Sequence, residues 1–228
     1  MASIAENIST VRKQITKCAE QSGRAADSVC LLAVSKTQSP ELIREAYAAG
    51  QHDFGENYVQ EALDKITTLP LPGIRWHFIG PIQSNKTRDI AEHFDWVHSV
   101  DRLKIAQRLD AQRPATKGPL NICIQINLSA EDTKSGTSLE EAEGLCTQIS
   151  KLQHLRLRGL MAIPAPCADL DQQRQVFRPL AEMLGRLAIH YPQMDTLSIG
   201  MSADFEAAIA EGSTIVRIGT AIFGARPH

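Results

Sequence analysis

The sequence predicts an α/β protein, a closed (β/α)₈ TIM barrel with one extra helix at the N-terminus, folded as a single domain over residues 1–228. Three observations lead there. Apolar runs of strand length alternate with helical patterns along the whole chain, which implies a parallel sheet. The strand-like runs number eight, which closes this barrel, and 228 residues suits it. An open doubly wound sheet fits less well, because the chain has no GxGxxG turn and no point where strand order reverses. Long linkers, internal repeats and low-complexity tracts are also absent from the sequence.

The elements follow in order. Ile4, Ile8, Val11, Ile15 and Ala19 form one apolar stripe, predicting an opening helix that ends near Gly23. Strands are predicted at Cys30–Ser35, His52–Gly55, Arg75–Ile79, Trp96–Val100, Asn121–Asn127, Leu157–Ile163, Thr196–Ile199 and Thr214–Ile218. The intervening helices are Glu41–Ala49, Val59–Thr67, Asn85–His93, Arg102–Arg113, Leu139–Lys151, Leu170–Ile189 and Ala203–Glu211. Ser39-Pro40-Glu41 reads as an N-cap, first turn and acidic start. Ser138 with Glu141 makes a capping box, and Gly50 and Gly212 stand where helix C-caps belong.

Composition narrows the functional classes. The chain is 43% hydrophobic and 22% charged with a formal charge of -2, and it carries no dense basic stripe, which argues against nucleic acid as a main partner. The basic stretch Asn85–Arg88 reads as a solvated helix face. No apolar stretch approaches a membrane span, and the N-terminus has no apolar signal core. Five scattered cysteines without a CxxC point to a reduced, cytoplasmic setting. The histidines show no metal-ligand spacing, and a P-loop and a nucleophile elbow are both missing.

Chemistry in such a barrel gathers at the C-terminal ends of the strands. Lys36 follows the apolar run Leu31-Leu32-Ala33-Val34 at the first of these ends. It reads either as a lysine snorkelling to water or as a desolvated amine able to form a Schiff base with a carbonyl compound. The second strand delivers Asn57, which with Gln60 resembles a helix cap and its reciprocal partner, or else reaches into the mouth. His77, between Trp76 and Phe78, reads as a satisfied strand histidine. Barrels often hold a phosphate after strands seven and eight. There Ser202 is placed to cap the predicted helix Ala203–Glu211 or to face an anion, and Gly219 reads as a plain turn glycine or, with Thr220, offers close backbone approach and a hydroxyl. Arg217 interrupts Ile215-Val216-Ile218 with no local partner, implying a salt bridge to a distant carboxylate or a cationic donor to a ligand.

These features, together with Leu31–Thr37 (LLAVSKT), Phe54–Gln60 (FGENYVQ), Trp76–Lys86 (WHFIGPIQSNK), Lys134-Ser135-Gly136, Arg158–Ile163 (RGLMAI), Leu197–Ser202 (LSIGMS) and Val216–Gly224 (VRIGTAIFG), closely resemble the YggS/PROSC family of proteins that bind pyridoxal 5′-phosphate (PLP). The resemblance spans the chain in order. Ile82 and Phe205 depart from the usual family pattern without touching the expected cofactor contacts. It implies the PLP-binding barrel of alanine racemase type. Lys36 would carry PLP as a Schiff base, Ser202, Gly219 and Thr220 would hold the phosphate, Arg217 would face the pyridine nitrogen, and Asn57 would lie beside the ring. No residue is assigned a catalytic or a metal-binding role.

An arginine at the ring nitrogen would leave that nitrogen unprotonated and weaken the ring as an electron sink. Racemisation is then the plausible enzyme reading, but racemases of this fold take a second base, a tyrosine, from an additional β-domain and a partner subunit. Only ten residues follow Ile218 here, and Tyr47, Tyr58 and Tyr191 are not at strand ends. The expectation is a monomeric, cytoplasmic, non-catalytic PLP protein in vitamin B6 and amino-acid homeostasis, buffering the cofactor or delivering it to PLP-dependent apo-enzymes. A PLP-dependent amino-acid racemase using Lys36 as a one-sided base is the alternative, and a regulatory module that binds another protein when loaded is the third reading.

Overall fold

The computed structural model describes residues 2–128 and 135–224, so Lys134 of the quoted motif lies outside it. The chain opens with helix α1 (Ile4–Gln21) and then alternates strand and helix: β1 (Cys30–Val34), α2 (Pro40–Ala48), β2 (Asp53–Glu56), α3 (Val59–Thr68), β3 (Arg75–Phe78), α4 (Thr87–His93), β4 (Trp96–Val100), α5 (Leu103–Gln112), β5 (Leu120–Ile126), α6 (Leu139–Ile149), β6 (Leu155–Ala162), α7 (Leu170–His190), β7 (Thr196–Ser198), α8 (Phe205–Ala210), β8 (Ile215–Ile218) and α9 (Thr220–Phe223). The strands pair in parallel in chain order and close with Cys30 opposite Ile215. This is the predicted (β/α)₈ barrel with its additional N-terminal helix.

Local chemistry accounts for the element ends. Ser3 and Glu6 form a capping box on α1, whose buried residues are the predicted stripe Ile4, Ile8, Val11, Ile15 and Ala19. Ser138 and Glu141 cap α6 in the same reciprocal way. Ser39 precedes Pro40 at the start of α2, but its hydroxyl makes no cap bond to the backbone. The predicted helix Asn85–His93 divides into a 3₁₀ turn, Ser84–Lys86, and α4. Helix α9 is a single turn, too short to leave a periodic signal in sequence.

The strands send their two faces to different environments. Leu31 and Ala33 of β1 join a large apolar core shared with the helices, whereas Leu32 packs with Ile79 and Ile215, flanked by Cys30 and Val34. That second cluster is small because polar residues occupy much of the barrel interior. Asp53, His77, His98, Ser198 and Arg217 are all buried. Among the described residues no helix is long and apolar enough to cross a membrane, and no group of three metal-ligating side chains converges.

Candidate functional site

A cavity of about 300 Å³ opens at the C-terminal ends of the strands, at the lower end of the range for small-molecule sites. Lys36, Asn57, Ser202, Arg217, Gly219 and Thr220 all line it, although they lie far apart in sequence. Their depth is graded. Arg217 is buried, Lys36 and Asn57 are half-buried, and Ser202 and Thr220 are exposed at the rim.

Strand geometry explains why Lys36 reaches the cavity. Side chains alternate along a strand, and Lys36 continues the series Cys30, Leu32 and Val34 that faces the small interior cluster. Thr37, immediately after it, has φ of 63°, the one positive value at a non-glycine among the described residues. A β-branched side chain in that region costs on the order of 1–3 kcal/mol, and such strain persists only where surrounding contacts impose it.

Asn57 does not cap α3. The N-cap position is Tyr58, Gln60 bonds Asp64 instead, and the Asn57 Oδ1 atom is buried without a hydrogen-bond partner. A buried amide oxygen left unpaired is costly, which points to a donor arriving from a bound group. The backbone of Asn57 is held close by Gly80 at the end of β3, where an added Cβ would collide with the Asn57 carbonyl. Gly80→Ala is therefore expected to lower stability by about 1–3 kcal/mol and to displace Asn57 from the cavity wall, measured by urea unfolding and ligand titration together.

Ser202 does not cap the following helix either. The chain turns at 202–204, where Asp204 Oδ1 accepts the Met201 N–H at 2.5 Å, so α8 begins at Phe205 with Asp204 as its N-cap. The carboxylate of Asp204 has taken the turn that the sequence assigned to Ser202, leaving the Ser202 side chain at the cavity rim. Gly219 packs against the neighbouring strand, its missing Cβ position lying 3.2 Å from the Val34 carbonyl.

Arg217 finds its partners on two other strands. Nη1 donates to the Ser198 carbonyl at 2.5 Å and to Ser198 Oγ at 2.9 Å, and Nη2 donates to the Ala162 carbonyl at 2.9 Å. Neutral oxygens at the ends of β6 and β7 thus fork the guanidinium, in place of the distant carboxylate the sequence left open. Burial lowers its pKa to about 10, which still leaves it charged at neutral pH.

Behind Arg217 runs a chain of buried hydrogen bonds that sequence reading missed. Asp53 is paired with Arg75, which with His77 holds its carboxyl below the usual range against the opposing effect of burial. Asp53 Oδ1 lies 3.1 Å from His77 Nε2, His77 Nδ1 lies 2.9 Å from His98 Nε2, and His98 Nδ1 lies 2.8 Å from Ser198 Oγ. Burial lowers the pKa of both histidines. With Asp53 ionised and both rings neutral, each ring carries its proton on Nε2, and every bond points from Ser198 toward Asp53. His77 is satisfied as expected, but as a link between strands.

The barrel and its mouth define the class of protein first. The family described as alanine racemase, N-terminal domain, matches residues 2–227. The pyridoxal phosphate homeostasis protein of Escherichia coli K12 is 55% identical over 231 residues, spanning all of this chain and 99% of that one. The structure of PipY from Synechococcus elongatus with PLP bound superposes with a TM-score of 0.85 at 38% identity, over 97% of this chain and 100% of that one. The chain belongs to the pyridoxal phosphate homeostasis protein family. Alanine racemase from Corynebacterium glutamicum shares the fold alone, with 16% identity and a TM-score of 0.70 over 99% of this chain and 61% of that one.

Proposed function

We propose that this protein binds PLP in the cavity, holds it covalently and reversibly on Lys36, and buffers it or hands it to apo-enzymes. The observation that carries this reading is the unpartnered Asn57 Oδ1, buried in the wall shared with Lys36 and Arg217. Bound there, PLP supplies an aldehyde that the Lys36 amine can condense with, releasing water. Ser202, Gly219 and Thr220 receive the phosphate at the solvent-facing rim. Arg217 offers donors to the ring nitrogen and, being charged, leaves that nitrogen without a proton, which restrains electron withdrawal.

A non-catalytic role is supported by the tyrosines, none of which lines the cavity. The Tyr47 hydroxyl donates to the Pro72 carbonyl, that of Tyr191 bonds Thr147, and Tyr58 is exposed. We read the protein as a single-domain, cytoplasmic monomer.

Borohydride reduction of the PLP-treated protein is expected to fix one PLP on the peptide containing Lys36. Lys36→Ala is expected to lose both the adduct and the visible absorption band. The same band in both proteins, with nothing fixed on Lys36, would refute the assignment. Incubating the loaded protein with L-alanine in deuterated water tests the second half. Sustained α-proton exchange with accumulation of the D-isomer would establish a racemase instead, whereas transfer of PLP to an apo-enzyme faster than free release supports delivery.

A further inference from the structure

Beneath the turn that carries Lys36 lies a second lysine, and the site described above makes no use of it. Lys65 sits on α3 with its side chain almost wholly buried. Its ammonium has three N–H groups and three acceptors. Nζ donates to the Ser35 carbonyl at 2.7 Å, to Glu56 Oε1 at 2.8 Å and to Glu61 Oε1 at 2.5 Å. Both carboxylates reach on to the same turn. Glu56 Oε1 also accepts the Ser35 hydroxyl at 2.6 Å, and Glu61 Oε1 also accepts the Thr37 backbone N–H at 2.5 Å. Lys36 is therefore flanked on both sides by residues fastened to one buried cluster.

A buried lysine is an expensive way to pack the outside of a barrel strand, since an apolar residue of similar size would avoid the desolvation. The cluster also leaves Glu56 Oε2 buried without a partner, so packing alone is a poor account of it. The backbone supplies the other half of the argument. Thr37 holds a left-handed conformation unfavourable to a β-branched residue, and its N–H is the group that Glu61 grips. An extended or right-handed Thr37 would turn the chain differently on leaving β1, and with it the direction of the Lys36 side chain. Strain beside a reactive amine, together with charge-assisted bonds that enforce it, is the pattern of a pre-organised site.

We propose that Lys65, Glu56 and Glu61 are positioning residues, a charged latch that holds the Ser35–Thr37 turn in its strained form and so presents Lys36 to the cavity. The proposal rests on the reading of Lys36 as the point of PLP attachment, and its test has one arm that needs no ligand.

In the ligand-free protein, Glu61→Ala is expected to speed amide exchange at Lys36 and Thr37 at least tenfold, while the thermal midpoint changes little because Glu61 is partly exposed. Covalent trapping on Lys36, followed with PLP and with phosphate-free pyridoxal, is expected to slow at least tenfold in the same variant. Using pyridoxal separates presentation of the amine from capture of the phosphate. Glu61→Gln keeps an oxygen acceptor for the Thr37 N–H, so it should restore most of both properties. Lys65→Met should impair them further, and where that variant fails to fold the Glu61 pair decides. Unchanged exchange in Glu61→Ala, or faster exchange with trapping at the unsubstituted rate, would overturn the latch. If the unsubstituted protein traps neither compound on Lys36, the reading of the site fails, while the exchange comparison still supports or overturns the grip on the turn.

Discussion

Arg217→Leu is expected to lower the free energy of unfolding of the ligand-free protein by about 3 kcal/mol or more, and to abolish tight retention of PLP. The reason lies in what the guanidinium leaves behind. Its two Nη atoms satisfy the Ser198 carbonyl, the Ser198 hydroxyl and the Ala162 carbonyl, all on buried residues. Orphaning buried acceptors costs roughly 1–3 kcal/mol each. Against that stands the relief of no longer burying a charge, whose cost is reflected in the lowered pKa of Arg217. Leucine recovers the desolvation but cannot span β6 and β7, so the loss outweighs the gain. Arg217→Gln, which keeps a donor, should be less destabilised. Arg217→Lys keeps the charge but offers no planar fork, and it should retain PLP poorly despite near-normal charge balance. Urea unfolding of the ligand-free variants and dialysis of bound PLP measure the two effects separately. Near-native stability of the leucine variant would show that its acceptors find other partners.

The architecture was legible because its signals are local. The stripe from Ile4 to Ala19, the capping box at Ser138 and the run Leu31–Val34 each declare an element within a few residues. The six cavity residues could be gathered because a barrel brings strand ends together whatever their separation in sequence. Two local readings failed for local reasons. Ser202 lost the turn to Asp204, whose carboxylate is the stronger acceptor for the Met201 N–H. Asn57 and Gln60 have cap-like spacing, but α3 starts one residue later than that cap would require. The chain from Asp53 to Ser198 was invisible because its members sit singly on separate strands, where each looks like an isolated polar residue. Lys65 is hidden in a similar way. It stands four residues after Glu61 in an ordinary amphipathic pattern, where an ion pair reads as surface decoration. Only the position of α3 against the ends of β1 and β2 turns that pair into a buried support for the Lys36 turn.

Acid is expected to weaken the fold from just below neutrality, before most carboxylates titrate. Burial holds His98 well below its ordinary value of 6.5 and lowers His77 as well. The charged and titratable groups facing His98 are His77, Arg217 and Asp53, and those facing His77 are His98, Asp53, Asp95 and Arg75. The aspartates favour a charged ring, but desolvation outweighs them. Below the ordinary histidine value the unfolded chain takes up protons on these two rings that the folded chain refuses. The unfolded state then binds more protons, so stability is fully present above that value and falls as pH drops beneath it. A ring contributes about 1.4 kcal/mol per pH unit while only its unfolded form is protonated, and His98, the more strongly lowered of the two, carries the larger share. Asp53, held low by His77 and Arg75, adds a loss of the same sign once the pH drops below its ordinary value of 3.8. Glu56, Asp101 and Asp204 work the other way. Burial raises their pKa values, so the folded state binds these protons first and gains stability as pH falls toward the ordinary carboxylate range. The histidines act from 6.5 downward, so the slope just below pH 6.5 belongs to them, and the three carboxylates oppose it further down. Urea unfolding between about pH 6.5 and about pH 5 should show it. His98→Asn, which keeps an acceptor for Ser198 but cannot titrate, should remove the larger part of the slope. A stability that stays flat to about pH 5, or a slope that His98→Asn leaves intact, would mean that the folded protein accommodates the imidazolium. The one-way orientation of the bonds from Ser198 to Asp53 would then be wrong as well.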